Sequence, residues 1–438
     1  MKKIQNKIIK FFGNFDVHSA EVVKKTFSSA IVKILGYIFG LGISIFLGRT
    51  IGADGLGIIN LSNRIISVVT IICLLGLQQT IVKEVAIAKS KSNWQQVKNV
   101  IFSSFWLSSS LSIIITSLLI FTAPWVSRTL FNEPLLTVPF IIASIVMTPQ
   151  IISRIFAAGL NGFGKIWQSN LVDQTLSSAV SALILIILWL SNYKIDVTIV
   201  AIVYAISRII VTLSISIYFR SVIDYKGKKE FEFKKLLNTS LPILGIIISG
   251  TIFANADAIF LGIFKDSKEV GLYTVAARIA VLTSFLLQVS NSAVSPKIAA
   301  LFSNNKLEEL EQMIQKITRN LLVVGFLTLL IFYFFGEIIL SIWGDEFKNA
   351  FWILFILGVG QFINLATGPV GSLLIMSGYE KIQLKISLFF VTLNIILNII
   401  LIPFLGAIGA AIATAITIAG INLTRVIYVH FKIGINTI

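Results

Sequence analysis

Seven charged residues interrupt segments that are otherwise apolar: Lys33, Arg64, Arg154, Asp173, Arg208, Asp257 and Arg278. An ionised group surrounded by hydrocarbon is costly, so each is a candidate functional residue. Five are basic and two acidic. A carrier that exchanges a cation for a proton or Na⁺ needs buried carboxylates, whereas guanidinium and ammonium groups are donors suited to phosphate oxygens. The basic excess favours an anionic cargo, with Lys33, Arg64, Arg154, Arg208 and Arg278 as its contacts. Asp173 and Asp257 are candidates for holding an ion or for pairing with those cations. The amides Gln150, Asn255, Gln288, Asn291, Gln361 and Asn364 also stand among apolar neighbours. In a hydrated cavity they would bond the hydroxyls of a sugar; between helices they would join one helix to the next. Each charge has a plain structural alternative too, in an ion pair such as Asp257 with Arg278 or in a stem lying along apolar surface with its head at the interface.

Other chemistries lack their residues. Two His and one Cys give no disulfide and no zinc site, and Cys73 lies in an apolar run where packing accounts for it. Nothing in the chain reads as a P-loop, a GxGxxG turn or an HExxH pair, so neither ATP hydrolysis nor a bound metal is expected. The chain is expected not to be an enzyme and to need no cofactor; energy, if required, would come from coupling to an H⁺ or Na⁺ gradient.

The elements that must position these residues follow from composition. The chain has 438 residues, of which 56% are hydrophobic and 13% charged, with a mean hydropathy of +0.91. Its apolar residues fall into runs of about 20, long enough to cross a hydrocarbon layer roughly 30 Å thick. Stretches such as 181–190 (SALILIILWL) are continuously apolar, which excludes the alternating strands of a membrane β-barrel. The reading is an all-α integral membrane protein of twelve transmembrane helices: 27–50, 57–82, 98–122, 134–160, 166–190, 197–219, 236–264, 270–296, 316–340, 347–376, 383–403 and 407–429. With that register, 25 Lys and Arg fall in the loops on the side of the N-terminus. Only Arg49, Arg128, Lys194, Lys265, Lys268 and Lys348 fall on the other. The positive-inside rule then places both termini in the cytoplasm. The net charge of +16 is explained by this topology and not by nucleic acid. Lys33, Arg154 and Asp173 lie in the inner half of the membrane, Arg208 near its middle, and Arg64, Asp257 and Arg278 in the outer half.

Residues 1–26 read as a cytoplasmic interfacial segment, with Ile4, Ile8, Phe11 and Phe15 at helical spacing between lysines. A basic linker, 221–235, separates six spans (27–220) from six (236–438). A shift of 214 residues aligns LGRTIGADGLGIINLSNRI (47–65) with LGIFKDSKEVGLYTVAARI (261–279), and a shift of 216 pairs NGFGKI with SGYEKI. Six spans per half make this a parallel repeat, giving two six-helix lobes about an axis along the membrane normal with a cavity between them. Gly55, Gly57 and Gly271 are expected at short outer turns. Asn394 and Asn398, four apart, and the small residues Gly406, Gly409, Ala410 and Ala413 read as helix packing.

LGRTIGADGLGIINL, DAIFLGIFKDSKEVGLYTVAARI, NGFGKI with SGYEKI, and NIILNIILIPFLGAIGAAIATAI together resemble the Wzx-type polysaccharide-repeat-unit flippases, including those for O-antigen. Their superfamily also holds multidrug and toxin extruders and lipid II flippases. The resemblance covers essentially the whole chain, although the first outer turn here reads Ala53-Asp54 where the family usually has acidic or proline residues. It implies a MATE-like fold of two six-helix lobes alternating between inward- and outward-open states in the bacterial cytoplasmic membrane. It also implies movement of an undecaprenyl-pyrophosphate-linked oligosaccharide to the outer leaflet for surface polysaccharide synthesis, among membrane lipids and other polysaccharide assembly proteins. The competing expectations are a MATE-type multidrug antiporter, against which the sign of the intramembrane charge speaks, and a lipid II flippase, whose cargo is chemically close. A polysaccharide polymerase or ligase would carry a large outer loop, and the outer loops here are short.

Overall fold

The computed structural model describes residues 17–222 and 230–437. Most of the interfacial N-terminal segment and the centre of the basic linker lie outside the described residues. Every regular element among those described is helical: α1 Val17–Leu74, α2 Leu77–Ser90, α3 Trp94–Trp125, α4 Thr137–Gly162, α5 Ile166–Asn170, α6 Leu176–Leu190, α7 Val197–Val222, α8 Phe233–Phe264, α9 Ser267–Ser303, α10 Leu307–Ser341, α11 Phe351–Ala366, α12 Val370–Met376 and α13 Glu380–Ile433. In hydrocarbon the backbone has no water to bond, so a chain this apolar satisfies its N–H and C=O groups within helices.

Among the described residues, nine helices are long and apolar enough to cross a membrane, or ten if α5 with the turn after it is taken with α6. Two of the nine run 47 and 54 residues, roughly 70–80 Å at 1.5 Å per residue and more than twice the hydrocarbon thickness. Each is broken by a glycine at positive φ, Gly52 (φ 68°) in α1 and Gly406 (φ 57°) in α13. A carboxylate caps the helix that follows each break. Glu346 Oε1 accepts from the Ala53 N–H at 2.7 Å, and Glu269 Oε2 accepts from the Ala407 N–H at 2.5 Å.

Helix α3 shows what solvent the exterior faces. Ser103, Ser104, Ser108 and Ser112 are fully buried, while Ile114 and Phe121 are 67% and 85% exposed. Small polar residues inside and large apolar ones outside is the arrangement of a protein in lipid.

The chain forms two compact units. The first comprises Met1–Ser44, Val69–Ala123 and Val138–Ile247; the second comprises Ile45–Val68, Pro124–Thr137 and Ile248–Ile438. The units thus cut across the expected division into 27–220 and 236–438, because residues 45–68 and 124–137 pack with the second half. Within the second unit Gly57 and Gly271 show why. A Cβ on Gly57 would lie 1.7 Å from the Ser267 carbonyl oxygen, and one on Gly271 would lie 2.1 Å from the Ala53 carbonyl oxygen. These glycines are not at turns, as their sequence context suggests; they let two helices touch backbone to backbone, and the turn itself is at Gly52. Each faces the residue four positions before the other, 214 positions along the chain. Acidic residues repeat the relation: Glu346 binds the start of the segment at Ala53, and Glu133 accepts from Ser267 Oγ at 2.6 Å.

Candidate functional site

Two clusters gather most of the intramembrane charge, one in each unit. In the first unit, α4 supplies Arg154, a π-helical turn at Leu171–Thr175 supplies Asp173, and α7 supplies Arg208. The turn is fixed to α1 at two points. Thr175 Oγ1 donates to the Val32 carbonyl at 2.8 Å, and the Asn170 amide donates to Ser29 Oγ. Arg154 Nε stands 3.5 Å from Asp173 Oδ1, an ion pair without hydrogen-bond geometry, and both atoms are buried. Arg208 lies within electrostatic reach of both, and its Nη1 is buried with no hydrogen-bond partner among the described residues. Two guanidiniums around one carboxylate leave positive charge and idle donors, the requirement for binding an anion. Lys33, expected beside them, is exposed on α1 and makes no ion pair or hydrogen bond to a described residue.

In the second unit, Asp257 on α8 is buried and accepts from three side chains. They are Asn398 Nδ2 at 2.6 Å, Thr414 Oγ1 at 2.5 Å and the Tyr273 hydroxyl. Arg64 donates to the Ala254 carbonyl at 2.7 Å, one helical turn before Asp257, and interacts with it electrostatically. Asn398 also donates to Asn394 Oδ1 at 3.0 Å, while Asn394 Nδ2 and Asn398 Oδ1 are buried without partners among the described residues. The two asparagines are therefore more than helix packing: they complete the surroundings of a buried carboxylate. Arg278, the sequence's candidate partner for Asp257, is partly buried on α9.

The amides divide. Gln361, Asn364, Asn422 and Arg425 form a chain in the second unit through bonds of 3.2, 3.0 and 3.2 Å. Gln361 and Asn364 thus join helices, and Arg425, counted with the inner loops, belongs to α13. Asn255 donates to the Thr251 carbonyl of its own helix at 2.7 Å. Gln150 is partly buried on α4, Gln288 is exposed on α9, and Asn291 Oδ1 is buried without a partner among the described residues.

Outside the spans, Glu232 straps the start of α8 to α3. Its carboxylate accepts from Gln96 at 2.9 Å, Lys235 at 3.1 Å and Asn99 at 3.4 Å, and its N–H donates to Ser103 Oγ at 3.0 Å. Partial burial pushes its carboxyl up, but the hydrogen bonds from Gln96, Lys235 and Asn99 outweigh this and hold it below the usual glutamate value.

Long apolar helices carrying paired charges define a polytopic membrane protein, and its fold is shared with solved membrane transporters. Lipid II flippase MurJ in an inward closed conformation superposes with a TM-score of 0.71 at 16% identity, over 93% of this chain and 87% of that one. An inward-facing multidrug resistance MATE family transporter of the MOP superfamily superposes with a TM-score of 0.65 at 15% identity, over 91% and 98%. The chain belongs to the polysaccharide biosynthesis protein family, whose model matches residues 22–302; the MatE model matches 242–400. Among relatives, the probable low-salt glycan biosynthesis flippase Agl15 of Haloferax volcanii is 29% identical over 45% of this chain and 42% of its own. The capsular polysaccharide biosynthesis protein CapF of Staphylococcus aureus is 24% identical over 42% and 47%. Stage V sporulation protein B of Bacillus subtilis is 22% identical over 70% and 63%. The matches thus span less than two thirds of these relatives' own lengths.

Proposed function

We propose that this chain is a flippase that carries a polyprenyl-pyrophosphate-linked oligosaccharide repeat unit from the inner to the outer leaflet of the bacterial cytoplasmic membrane, by alternating access. The observation that carries the reading is the Arg154, Arg208 and Asp173 cluster, in which two guanidiniums share one carboxylate and Arg208 Nη1 lacks a partner. A cation extruder needs the opposite balance. The flippase names of the relatives and the family support the same reading. On it, the chain crosses twelve times with both termini in the cytoplasm. Its two lobes, 27–220 and 236–438, are joined by the linker 221–235. Counting α1 and α13 as two crossings each, and α5 with α6 as one, supports twelve, and the reciprocal setting of Gly57 and Gly271 supports the repeat. Asp257 with Asn394, Asn398 and Thr414 is then the place where a coupling H⁺ or Na⁺ would act. Arg64 and Arg278 are later headgroup contacts, and Gln150, Asn255, Gln288 and Asn291 sugar contacts.

The likeness to MurJ favours one second reading, a lipid II flippase, whose cargo shares the pyrophosphate. Depletion of the protein separates the two. The proposal expects polyprenyl-pyrophosphate sugar units to accumulate on the cytoplasmic leaflet and surface polysaccharide to disappear while the cell wall is made normally. Arrested wall synthesis would identify lipid II, and unchanged polysaccharide with sensitivity to cationic dyes would sink both.

A further inference from the structure

Beside the Arg154 and Asp173 pair, the first unit contains a cavity of about 330 Å³. It is lined by Gln78, Gln79, Val82, Ala157, Ala158, Asn161, Ser169, Asn170 and Asp173. We infer that this cavity is a saccharide subsite, which takes one sugar ring of the cargo through its hydroxyl groups while the adjoining guanidiniums take the pyrophosphate; it rests on the anionic-headgroup reading above.

Three observations point to a hydroxyl-bearing ligand. First, four of the lining side chains are amides, and Gln78, Gln79 and Asn161 make no side-chain hydrogen bond to another described residue. An amide offers both donors and an acceptor, which suits a hydroxyl that can act either way. Second, Asp173 lines the cavity, and its buried Oδ1, 3.5 Å from Arg154 Nε, accepts no hydrogen bond from a described residue. Such an oxygen calls for a donor. A phosphate oxygen would be repelled by it, whereas a hydroxyl group supplies the missing proton. Third, Val82, Ala157 and Ala158 form a small apolar wall, against which the C–H face of a ring packs without steric conflict. At roughly 30 Å³ per water-sized group the cavity takes about ten of them, the size of one sugar ring. An organic cation is poorly served, because the charges of Arg154 and Arg208 outweigh that of Asp173 and no aromatic ring lines the walls.

The site is also placed by rigid parts of the fold. The chain breaks between α1 and α2 at Leu75 (φ 51°) and Gly76 (φ 73°), which puts Gln78 and Gln79 in the first turn of α2. Gly76 is held against the Ser240 carbonyl, since a Cβ there would come within 2.3 Å of it. On the opposite side Asn170 is anchored by its bond to Ser29.

The test uses the full chain in lipid nanodiscs and two soluble probes, geranylgeranyl pyrophosphate and geranylgeranyl-pyrophosphoryl-glucose. The wild type should bind the sugar-bearing probe about tenfold more tightly, the gain of one or two well-made hydrogen bonds. The double substitution Gln78→Ala with Asn161→Ala should abolish that difference and leave the Kd of the sugar-free probe unchanged. Gln78→Asn, which keeps the amide but shortens its reach, should retain part of it and guards against a folding defect, read as an altered melting temperature. Equal affinity of the wild type for both probes, or a tenfold difference that survives the double substitution in folded protein, would overturn the subsite. The headgroup reading fails separately, if Arg154→Ala with Arg208→Ala binds the sugar-free probe as tightly as the wild type does.

Discussion

Asn398 donates a hydrogen bond to Asp257 at 2.6 Å, across 141 residues of sequence. With Thr414 and Tyr273 it surrounds a buried carboxylate with donors. Asp257→Ala leaves those donors without an acceptor, at a cost of about 1–3 kcal/mol for each buried group that finds no substitute. Membrane abundance and melting temperature should fall. Asp257→Asn keeps the shape and should fold; if the group serves ion coupling, export should drop at least tenfold at normal abundance. Wild-type export by a folded Asn variant would assign Asp257 to structure alone.

Arg154 and Arg208 are expected to bind the cargo's pyrophosphate. Alanine at either should abolish export at normal protein levels, and lysine should rescue only in part, because it lacks the paired donors of a guanidinium. Asp173→Asn separates cargo binding from pairing: it removes the partner of Arg154 but not the donors, so export should persist at a reduced rate. Export and membrane abundance measured together check both points. Well-expressed alanine variants that export normally would eliminate the arginines as contacts.

Gly57→Ala forces a methyl group into the Ser267 carbonyl. Overpacking of this kind costs about 1–3 kcal/mol or more, so folded protein should decrease several-fold. Gly250→Ala is the control, since a Cβ there meets nothing within 4 Å. Equal yields of the two variants would show that the helices part easily.

Glu232 predicts a pH dependence. Its carboxyl is held below the unfolded value, so the strap stabilises fully above the ordinary glutamate range and is lost as pH falls through that range toward the lower folded value. The hydrogen-exchange rate of the amides at 231–236, relative to the intrinsic rate at each pH, should rise over that window. In Glu232→Gln the rate should be raised at neutral pH and nearly independent of pH; a wild-type profile in that variant would refute the strap.

The topology is checked by single cysteines in a Cys73→Ser background. Those at Lys194 and Lys268 should react with an impermeant thiol reagent from outside the cell, and those at Lys91 and Lys229 should not, as the distribution of basic residues requires. The reverse pattern would invert the transporter.

The helical membrane class was legible because the length of an apolar run is set directly by the thickness it crosses. Asp257 and Arg154 were legible for a related reason, since a charge within such a run stands out wherever its partner is. Partners were not. Tyr273, Asn398 and Thr414 reach Asp257 from 16, 141 and 157 residues away, and no local periodicity encodes those meetings. Gly57 and Gly271 mislead for the same cause: a glycine needed at a turn and one needed where two backbones touch look alike until the second backbone is known. Gln78 and Gln79 carried a faint signal, an amide pair just after Leu75 and Gly76, but only the cavity gives it a meaning.

The backbone contact at Gly57 and Gly271 also bears on how the chain is made. The partners are 214 residues apart, and at roughly 5–20 residues per second of synthesis the first waits on the order of ten to forty seconds for the second. Through that interval residues 45–68 sit in the bilayer with a bare strip of glycine backbone and no helix to cover it. Their final neighbour does not yet exist, so the insertion machinery or lipid must cover the strip meanwhile. A nascent chain that terminates before Gly271 leaves it uncovered for good.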